Sequence, residues 1–514
     1  MLALRWRGRG GDRADLTYAA LAAESDRYAR ALLGLGLRPG DAVGVMTGRR
    51  PETVLLALAI WKVGGVYCPL FGDLGPNPLR ARLALGRIKL LVTLAETNAT
   101  AVVPIRSAVP ELSQVLLLGD DDGEGASALS VRLAGGGPVP SPDPRAIGIM
   151  HFTSGTTAPV TGGAAQPKAV IHDNSVAAAM TATARTALAL QPGEMLWCTG
   201  EPGWAVHTAY GLVAPLATGA AILLDEAPAT PTRCLSLLED ELVNVWYTTP
   251  TVIRGLMGAG AATARTCRRR GLRLAASVGE PLSPDAVEWG ARALGVPFRD
   301  TWWQTETGGI VLAHDPARSP LPGSMGRPLP GMELAVVRRV GDDISFCDAT
   351  GETVGELALR ADTLPPWRSL GGEVGAVAEN IGGWHLTRDV VRRDANGNYW
   401  FLGREDEVIN LSGRMVGPFE VEAVLMSHPA VAEAGVVGAA DPDQHERIVA
   451  FVAVNPGFDP VHTLREELQQ YARDHLGAGL APQDIRFERE FPRTSNGKII
   501  RRLLKARLQS RATP

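Results

Sequence analysis

The feature that most constrains this chain is an alternation of short apolar runs with helical segments through roughly its first 310 residues. Thr17 to Gly34 reads as an amphipathic helix, with Leu21, Tyr28, Leu32 and Leu33 on related faces and Gly34/Gly36 as its stop. Ala42 to Met46 is a short strand. Pro51 then opens a helix at its first position, where the missing N–H costs nothing, and the segment runs to Gly64-Gly65. Val66 to Leu70 is strand-like again. The texture returns at Met195 to Cys198, Ala221 to Leu224, Val243 to Tyr247, Leu272 to Val278 and Phe298 to Trp302, with Pro284 to Leu294 helical between the last two. Strands alternating with helices belong in a parallel sheet covered on both faces.

From Pro316 to Tyr399 the texture changes to short β-prone runs, such as Leu334 to Val337 and Glu356 to Leu359, separated by Gly, Pro and Asp. That predicts a small β subdomain over residues 316–400. A boundary falls near Gly403-Arg-Glu-Asp406. Beyond it, Pro418 to His428 and Leu464 to Leu476 read as helices, and Ala434 to Val437 and Ile448 to Val454 as strands. The expected fold is therefore α/β: a large N-terminal domain of layered α/β sheets with its β subdomain, residues 1–403, and a small mobile α+β C-terminal domain, residues 404–514. The final basic stretch from Arg501-Arg502 to Pro514 is expected to fray.

Composition excludes some classes of function. A net charge of -4 gives no footprint for nucleic acid. The five cysteines, Cys68, Cys198, Cys234, Cys267 and Cys347, are odd in number and scattered, which predicts reduced thiols in a cytoplasmic protein and neither a disulfide framework nor a zinc site. No window approaches the ~18 apolar residues of a membrane span, and the basic N-terminus lacks the apolar segment of a secretory signal. A monomer or small homo-oligomer without a membrane partner is expected.

Chemistry concentrates first in Phe152-Thr-Ser-Gly-Thr-Thr157 and Gln166-Pro-Lys168. Thr153, Ser154, Thr156 and Thr157 around Gly155 leave hydroxyls and backbone N–H groups to converge on one point, as phosphate cradles do, and Lys168 adds a point charge. By composition the stretch also reads as a solvated surface loop. A second stretch, Asp300-Thr-Trp-Trp-Gln-Thr-Glu-Thr-Gly308, lies where a strand ends, the usual place for ligands in an open parallel sheet. It sets an apolar wall beside groups that bind a hydroxyl, a phosphate or a hard metal, though an aromatic core strand with a polar loop fits it too.

Taken together, these stretches resemble the adenylate-forming superfamily of acyl-CoA synthetases, luciferases and adenylation domains, whose phosphate loop has a TSGTTG-x-PKG core. The nonapeptide at Asp300, with Val278-Gly-Glu-Pro281 and Gly417-Pro-Phe-Glu-Val-Glu422, is most similar to bacterial acetate:CoA ligases. The resemblance implies ATP, Mg²⁺ and CoA as cofactors and a small carboxylic acid as substrate. It places Gly279, Glu280, Pro281, Asp300 and Thr301 beside the adenine, Thr305 on the phosphates and Glu306 on Mg²⁺. Asp389 and Arg404 match its ribose-binding positions, an acceptor and a fork donor suited to a cis-diol; a surface ion pair fits the same two residues, and they do not by themselves decide between the readings. Asp406 falls at the family's hinge, Ser412 and Gly413 at its pantetheine tunnel, and Lys498, in Phe491-Pro-Arg-Thr-Ser-Asn-Gly-Lys498, at its catalytic lysine.

The chain also departs from the pattern. Ala158 to Ala165 adds about seven residues to the phosphate loop, at a closure cost of roughly 0.6 kcal/mol per doubling of length. Ala169 and Arg388 stand where glycines are usual, and Met415 where an arginine is. Trp303 and Val278 are the implied walls of the acid pocket; Ala205, Val206 and His207 replace Val-Thr-Gly, which moves the expected preference from acetate toward propionate or another small acid. Three readings stay open: a short-chain acyl-CoA synthetase, an adenylating enzyme with a carrier protein or amine as acceptor, and a non-catalytic nucleotide- or acyl-binding homologue.

Overall fold

A computed structural model describes residues 1–119, 127–129, 139, 143–154, 167–260, 271–371, 380–411, 414–441, 445–477, 479–493 and 499–510. The chain groups into two compact units, Met1–Met332 with Ala361–Glu379, and Glu333–Arg360 with Asn380–Pro514.

Among the described residues the first unit is built on two sheets. One runs in the order Trp367–Gly371, Pro167–Asp173, Ile147–Ser154, Val66–Pro69, Ala42–Met46, Leu90–Leu94, Gln114–Leu118 and Ser127–Ala128. Its pairings are parallel except that Pro167–Asp173 runs antiparallel to both of its neighbours. The other has Phe298–Trp302, Leu274–Ser277, Val245–Thr248, Met195–Cys198, Ala221–Asp225 and Leu2–Arg7 in parallel at its centre. Side chains alternate between cores: Leu196 and Cys198 join a core that includes residues of both sheets, while Met195 and Trp197 join a second one. Burial on both faces is why Met195–Cys198 and Ala42–Met46 read as continuous apolar runs. Helices Tyr18–Gly34, Pro51–Lys62 and Val176–Ala187 supply much of the shared core. The elements that the sequence predicts in this unit, such as Ala42–Met46, Met195–Cys198 and Phe298–Trp302, lie within about two residues of their predicted places, whereas Leu90–Leu94, Gln114–Leu118, Ile147–Ser154 and Val176–Ala187 are not among those predicted. The segment after Pro284 is α-helical to Trp289 and widens into a π-helix at Gly290–Leu294, where a side chain at Gly290 would lie 2.7 Å from the Phe298 ring.

The second unit holds a six-stranded sheet built around Thr353–Arg360 and Trp384–Arg393, and a five-stranded sheet built on Val431–Asp441 and His445–Val454 with helices Pro418–Met426 and His462–Leu476. The fold is α/β with a large N-terminal and a small C-terminal part. Two details differ from expectation. Trp367–Gly371, inside the stretch read as β subdomain, pairs with Pro167–Asp173 of the first unit. Arg501–Ser510 is a helix rather than a frayed tail, because Arg501 is buried against carboxylates described below. Among the described residues no helix is long and apolar enough to cross a membrane.

Candidate active site

Lys168 lies on Pro167–Asp173 between two antiparallel neighbours, in register with Thr153 on one side and Gly371 on the other. Its side chain is buried, and Nζ donates to Glu306 Oε1 at 3.0 Å with the Trp367 ring 6.0 Å away. Glu306 sits in a 3-10 turn, Thr305–Thr307, that follows strand Phe298–Trp302 directly. Gly308 ends that turn at φ 67, and a Cβ there would approach Val176 Cγ2 to 2.6 Å. Left-handed backbone and close packing both demand glycine. The strand that closes the predicted phosphate loop thus faces the turn predicted to hold metal and phosphate.

Beside it, the Val278-Gly-Glu-Pro281 turn is held from three directions. Trp204 covers Gly279, whose φ of 93 suits glycine and whose Cβ would lie 2.7 Å from the indole. Glu280 accepts hydrogen bonds from Thr251 at 2.8 Å and Arg254 at 2.7 Å. Beneath it, the buried Asp300 carboxylate accepts from the N–H groups of Leu282 at 3.2 Å and Thr301 at 3.0 Å, and from the Ser277 hydroxyl at 3.4 Å. With no cation against it among the described residues, burial pushes the Asp300 carboxyl up to about 7.

The aromatic wall forms through a chain of hydroxyls. Thr301 Oγ1 donates to the Ser277 carbonyl at 2.7 Å, Tyr247 OH to Thr301 Oγ1 at 2.7 Å, and Trp303 Nε1 to Tyr247 OH at 3.1 Å. Tyr210 stands edge-on to both Tyr247 and Trp303. Val206 and Val278 share one core with these tyrosines, with Trp204 and Trp303 packed against it, and Ala205 is buried next to them in sequence. Of the predicted wall residues, Trp303 touches Tyr247 and Tyr210, while Val206 and Val278 belong to the same extended core as those rings. In this structure the side chains of Asp300 and Thr301 act on the turn and the wall. His207 is buried, with Nδ1 bonded to the Gly200 carbonyl at 3.1 Å, and burial pushes its imidazole down to about 4.

In the second unit Asp389 and Arg404 are cross-strand partners, joined by a 2.7 Å ion pair, and Arg404 also donates to the Thr387 carbonyl at 3.0 Å. Arg388 adopts φ 59, which explains why glycine would be the unstrained choice there. Its N–H is tied to Glu356 at 2.8 Å. Asp406 is exposed in the following turn, and Met415 is exposed on Arg414–Val416. Sequence reasoning missed Arg501. Its guanidinium makes a two-pronged contact with Glu422, both oxygens at 2.8 Å, reaches Glu407 at 3.2 Å and lies over the Phe419 ring at 4.2 Å. Gly155, Thr156, Thr157, the insertion Ala158 to Ala165, Ser412, Gly413 and Lys498 lie outside the described residues, as do Cys267 and the Ser154 side chain.

Residues 2–364 match the AMP-binding enzyme family, and residues 420–498 match the AMP-binding enzyme C-terminal domain. The chain belongs to the AMP-binding enzyme family. Among curated members, it is 34% identical to acetyl-coenzyme A synthetase of Bacillus subtilis (strain 168) over 506 residues, 95% of this chain and 84% of that protein. It is 32% identical to acetyl-coenzyme A synthetase of Shewanella frigidimarina over 536 residues, 98% of this chain and 81% of that one. Among solved structures, Brucella canis acyl-CoA synthetase is similar over 99% of this chain and 92% of its own, at 32% identity and a TM-score of 0.72. An anthranilate CoA ligase in complex with anthranoyl-AMP shares the fold, with a TM-score of 0.86 at 24% identity over 99% of this chain and 95% of that one.

For a member of the AMP-binding family, the donor set at Glu306 is informative. Among the described residues no group of three His, Cys, Asp or Glu side chains converges to hold a metal unaided. A single carboxylate against the strand that follows the predicted phosphate loop nevertheless suits Mg²⁺, which keeps its waters and takes one or two carboxylates together with substrate phosphates.

Proposed function

We propose that this chain activates a short carboxylic acid with ATP and transfers the acyl group to CoA. The observation that carries the reading is the similarity to acetyl-coenzyme A synthetases over 95% of the chain. In the first half-reaction a carboxylate oxygen attacks the α-phosphorus of ATP, and the bond to pyrophosphate breaks. In the second, the CoA thiolate attacks the acyl carbon and AMP leaves.

Each part of the chain has its work in this scheme. Thr153, Ser154, Gly155, Thr156, Thr157 and Lys168 cradle the phosphates, with Lys168 exchanging Glu306 for a phosphate oxygen as the nucleotide arrives. Glu306 would hold Mg²⁺, which when bound would neutralise phosphate charge, and Thr305 lies against the phosphates. The turn Gly279-Glu280-Pro281, kept in shape by Asp300 and Thr301, flanks the adenine. Asp389 and Arg404 bind the ribose hydroxyls, and Lys498 meets the charge that develops during adenylation. A small domain from residue 404 onward turns about Asp406 between the steps, and Ser412-Gly413 borders the path of the CoA thiol. Val278, Trp303, Ala205 and Val206 set acid size, which favours acetate, propionate or an acid of similar bulk. The four described cysteines, free and three of them buried, suit a reducing cytoplasm. The protein works as a monomer or small homo-oligomer.

Acid-dependent ATP–pyrophosphate exchange over acetate, propionate and butyrate tests the first step, with Lys498→Ala as its control. Exchange with a short acid that disappears in the control is the expected result. CoA-dependent release of AMP tests the second step, and release driven only by another acceptor would reassign it. Tight ATP binding without exchange for any acid would overturn the reading.

A further inference from the structure

The strand Pro167–Asp173 reaches the Thr305–Thr307 turn at two points. Lys168 and His172 are four residues apart and so share one face of it. Lys168 meets the Glu306 carboxylate, while His172 Nε2 meets the Thr305 carbonyl at 2.8 Å. A carbonyl only accepts, so the imidazole carries its proton on Nε2. The ring is buried, and that burial is the main influence lowering its pKa from the ordinary imidazole value. The turn packs on it closely: a Cβ on Gly308 would sit 3.4 Å from His172 Cε1. On the adjacent strand, Trp367 is the register partner of His172.

The two contacts differ in what can compete for them. An incoming triphosphate offers Lys168 a stronger anion than Glu306. It offers nothing to the Thr305 carbonyl, because phosphate oxygens also only accept. We infer that His172 is a positioning residue: its Nε2–H holds the Thr305 backbone in place, so that the Glu306 carboxylate stays presented when Lys168 releases it. The inference rests on the proposed role of Glu306 at the metal.

The test compares His172→Gln, whose terminal amide N–H can take the place of Nε2–H, with His172→Asn, whose shorter stem cannot. Glu306→Gln serves as the reference, all in the full chain. Two quantities are read: the Mg²⁺ concentration that half-saturates acetate-dependent pyrophosphate exchange at fixed ATP, and the thermal shift that Mg·ATP produces without acid. His172→Asn is expected to raise the half-saturating Mg²⁺ about five- to ten-fold, the effect of losing one hydrogen bond, and to shrink the thermal shift. The rate at saturating Mg²⁺ should fall less than about two-fold, and His172→Gln should restore the wild-type Mg²⁺ dependence. A lowered melting temperature in both variants with unchanged Mg²⁺ dependence and thermal shift would reduce His172 to a packing residue and overturn the inference. If Glu306→Gln leaves the Mg²⁺ dependence untouched, the metal role of Glu306 fails first. If Glu306→Gln disturbs it and His172→Asn does not, His172 alone is wrong.

Discussion

The molecule contains two ion pairs of similar burial that are built for opposite purposes. Lys168 and Glu306 have side chains 9% and 14% exposed, and Arg501 and Glu422 are 8% and 4% exposed. Burial does not separate them, but chemistry does. Lysine is a point charge on a flexible stem, able to swing to another anion, whereas the arginine fork matches one carboxylate in one plane. Arg501 is further fixed by Glu407 and by the Phe419 ring, and Glu422 also accepts from the Val436 N–H at 2.7 Å. The first pair can change partners; the second pins a helix that begins three residues after Lys498.

Breaking the second pair should give the largest effect. Arg501→Met leaves Glu422 and Glu407 without their cation, and the expected loss is about 3–5 kcal/mol, read from urea unfolding. Recovery of part of that loss in the double variant with Glu422→Gln would confirm that the stranded carboxylates, not the missing stem, are responsible. Breaking the first pair should cost less stability. Glu306→Gln keeps a side-chain carbonyl as an acceptor for Lys168, whose flexible stem can also carry its charge toward water, so unfolding free energy is expected to fall by about 1–3 kcal/mol, while pyrophosphate exchange slows by roughly 100-fold. A large stability loss there would erase the distinction.

Asp300 sharpens the comparison as a buried carboxylate with N–H and O–H donors against it but no cation. Its pKa rises from 3.8 to about 7 on folding. The native state therefore holds a proton that the unfolded chain releases, so stability falls as pH rises from about 4 to about 7 and levels above that. Measured against Asp300→Asn, the melting temperature of the unaltered chain should drop between pH 5 and pH 8. A flat difference would mean that the carboxyl ionises normally. The smallest effect belongs to a site without charge. Ala205→Val restores bulk near the aromatic wall and should raise the acetate-to-propionate ratio of kcat/KM about ten-fold.

How much of this was legible in the sequence depended on how far apart the partners lie. Ala42–Met46, Met195–Cys198 and Phe298–Trp302 were readable because both faces are buried and Gly or Pro punctuates each run. The phosphate-loop lysine and the Glu306 turn were readable as motifs, but their meeting was not, since 138 residues separate them. Arg501 looked like part of a solvated basic tail because its partners lie 79 and 94 residues upstream. Asp300 was visible as a polar residue in an aromatic strand, while its inward turn beneath Gly279-Glu-Pro281 depends on a neighbouring strand. Trp367–Gly371 has no strand-like alternation of its own, and its partner makes it a strand.

That last pairing has a consequence for the order in which the protein is made. Pro167–Asp173 leaves the ribosome almost two hundred residues before Trp367–Gly371, which covers its other edge. At about 5–20 residues per second, the strand carrying Lys168 and His172 waits on the order of ten seconds or more with that edge uncovered. An open row of N–H and C=O groups is a template for pairing with another chain. Fragments that stop before residue 371, whether from stalled translation or deliberate truncation, keep that edge permanently, and their tendency should be to assemble with one another rather than to bind nucleotide.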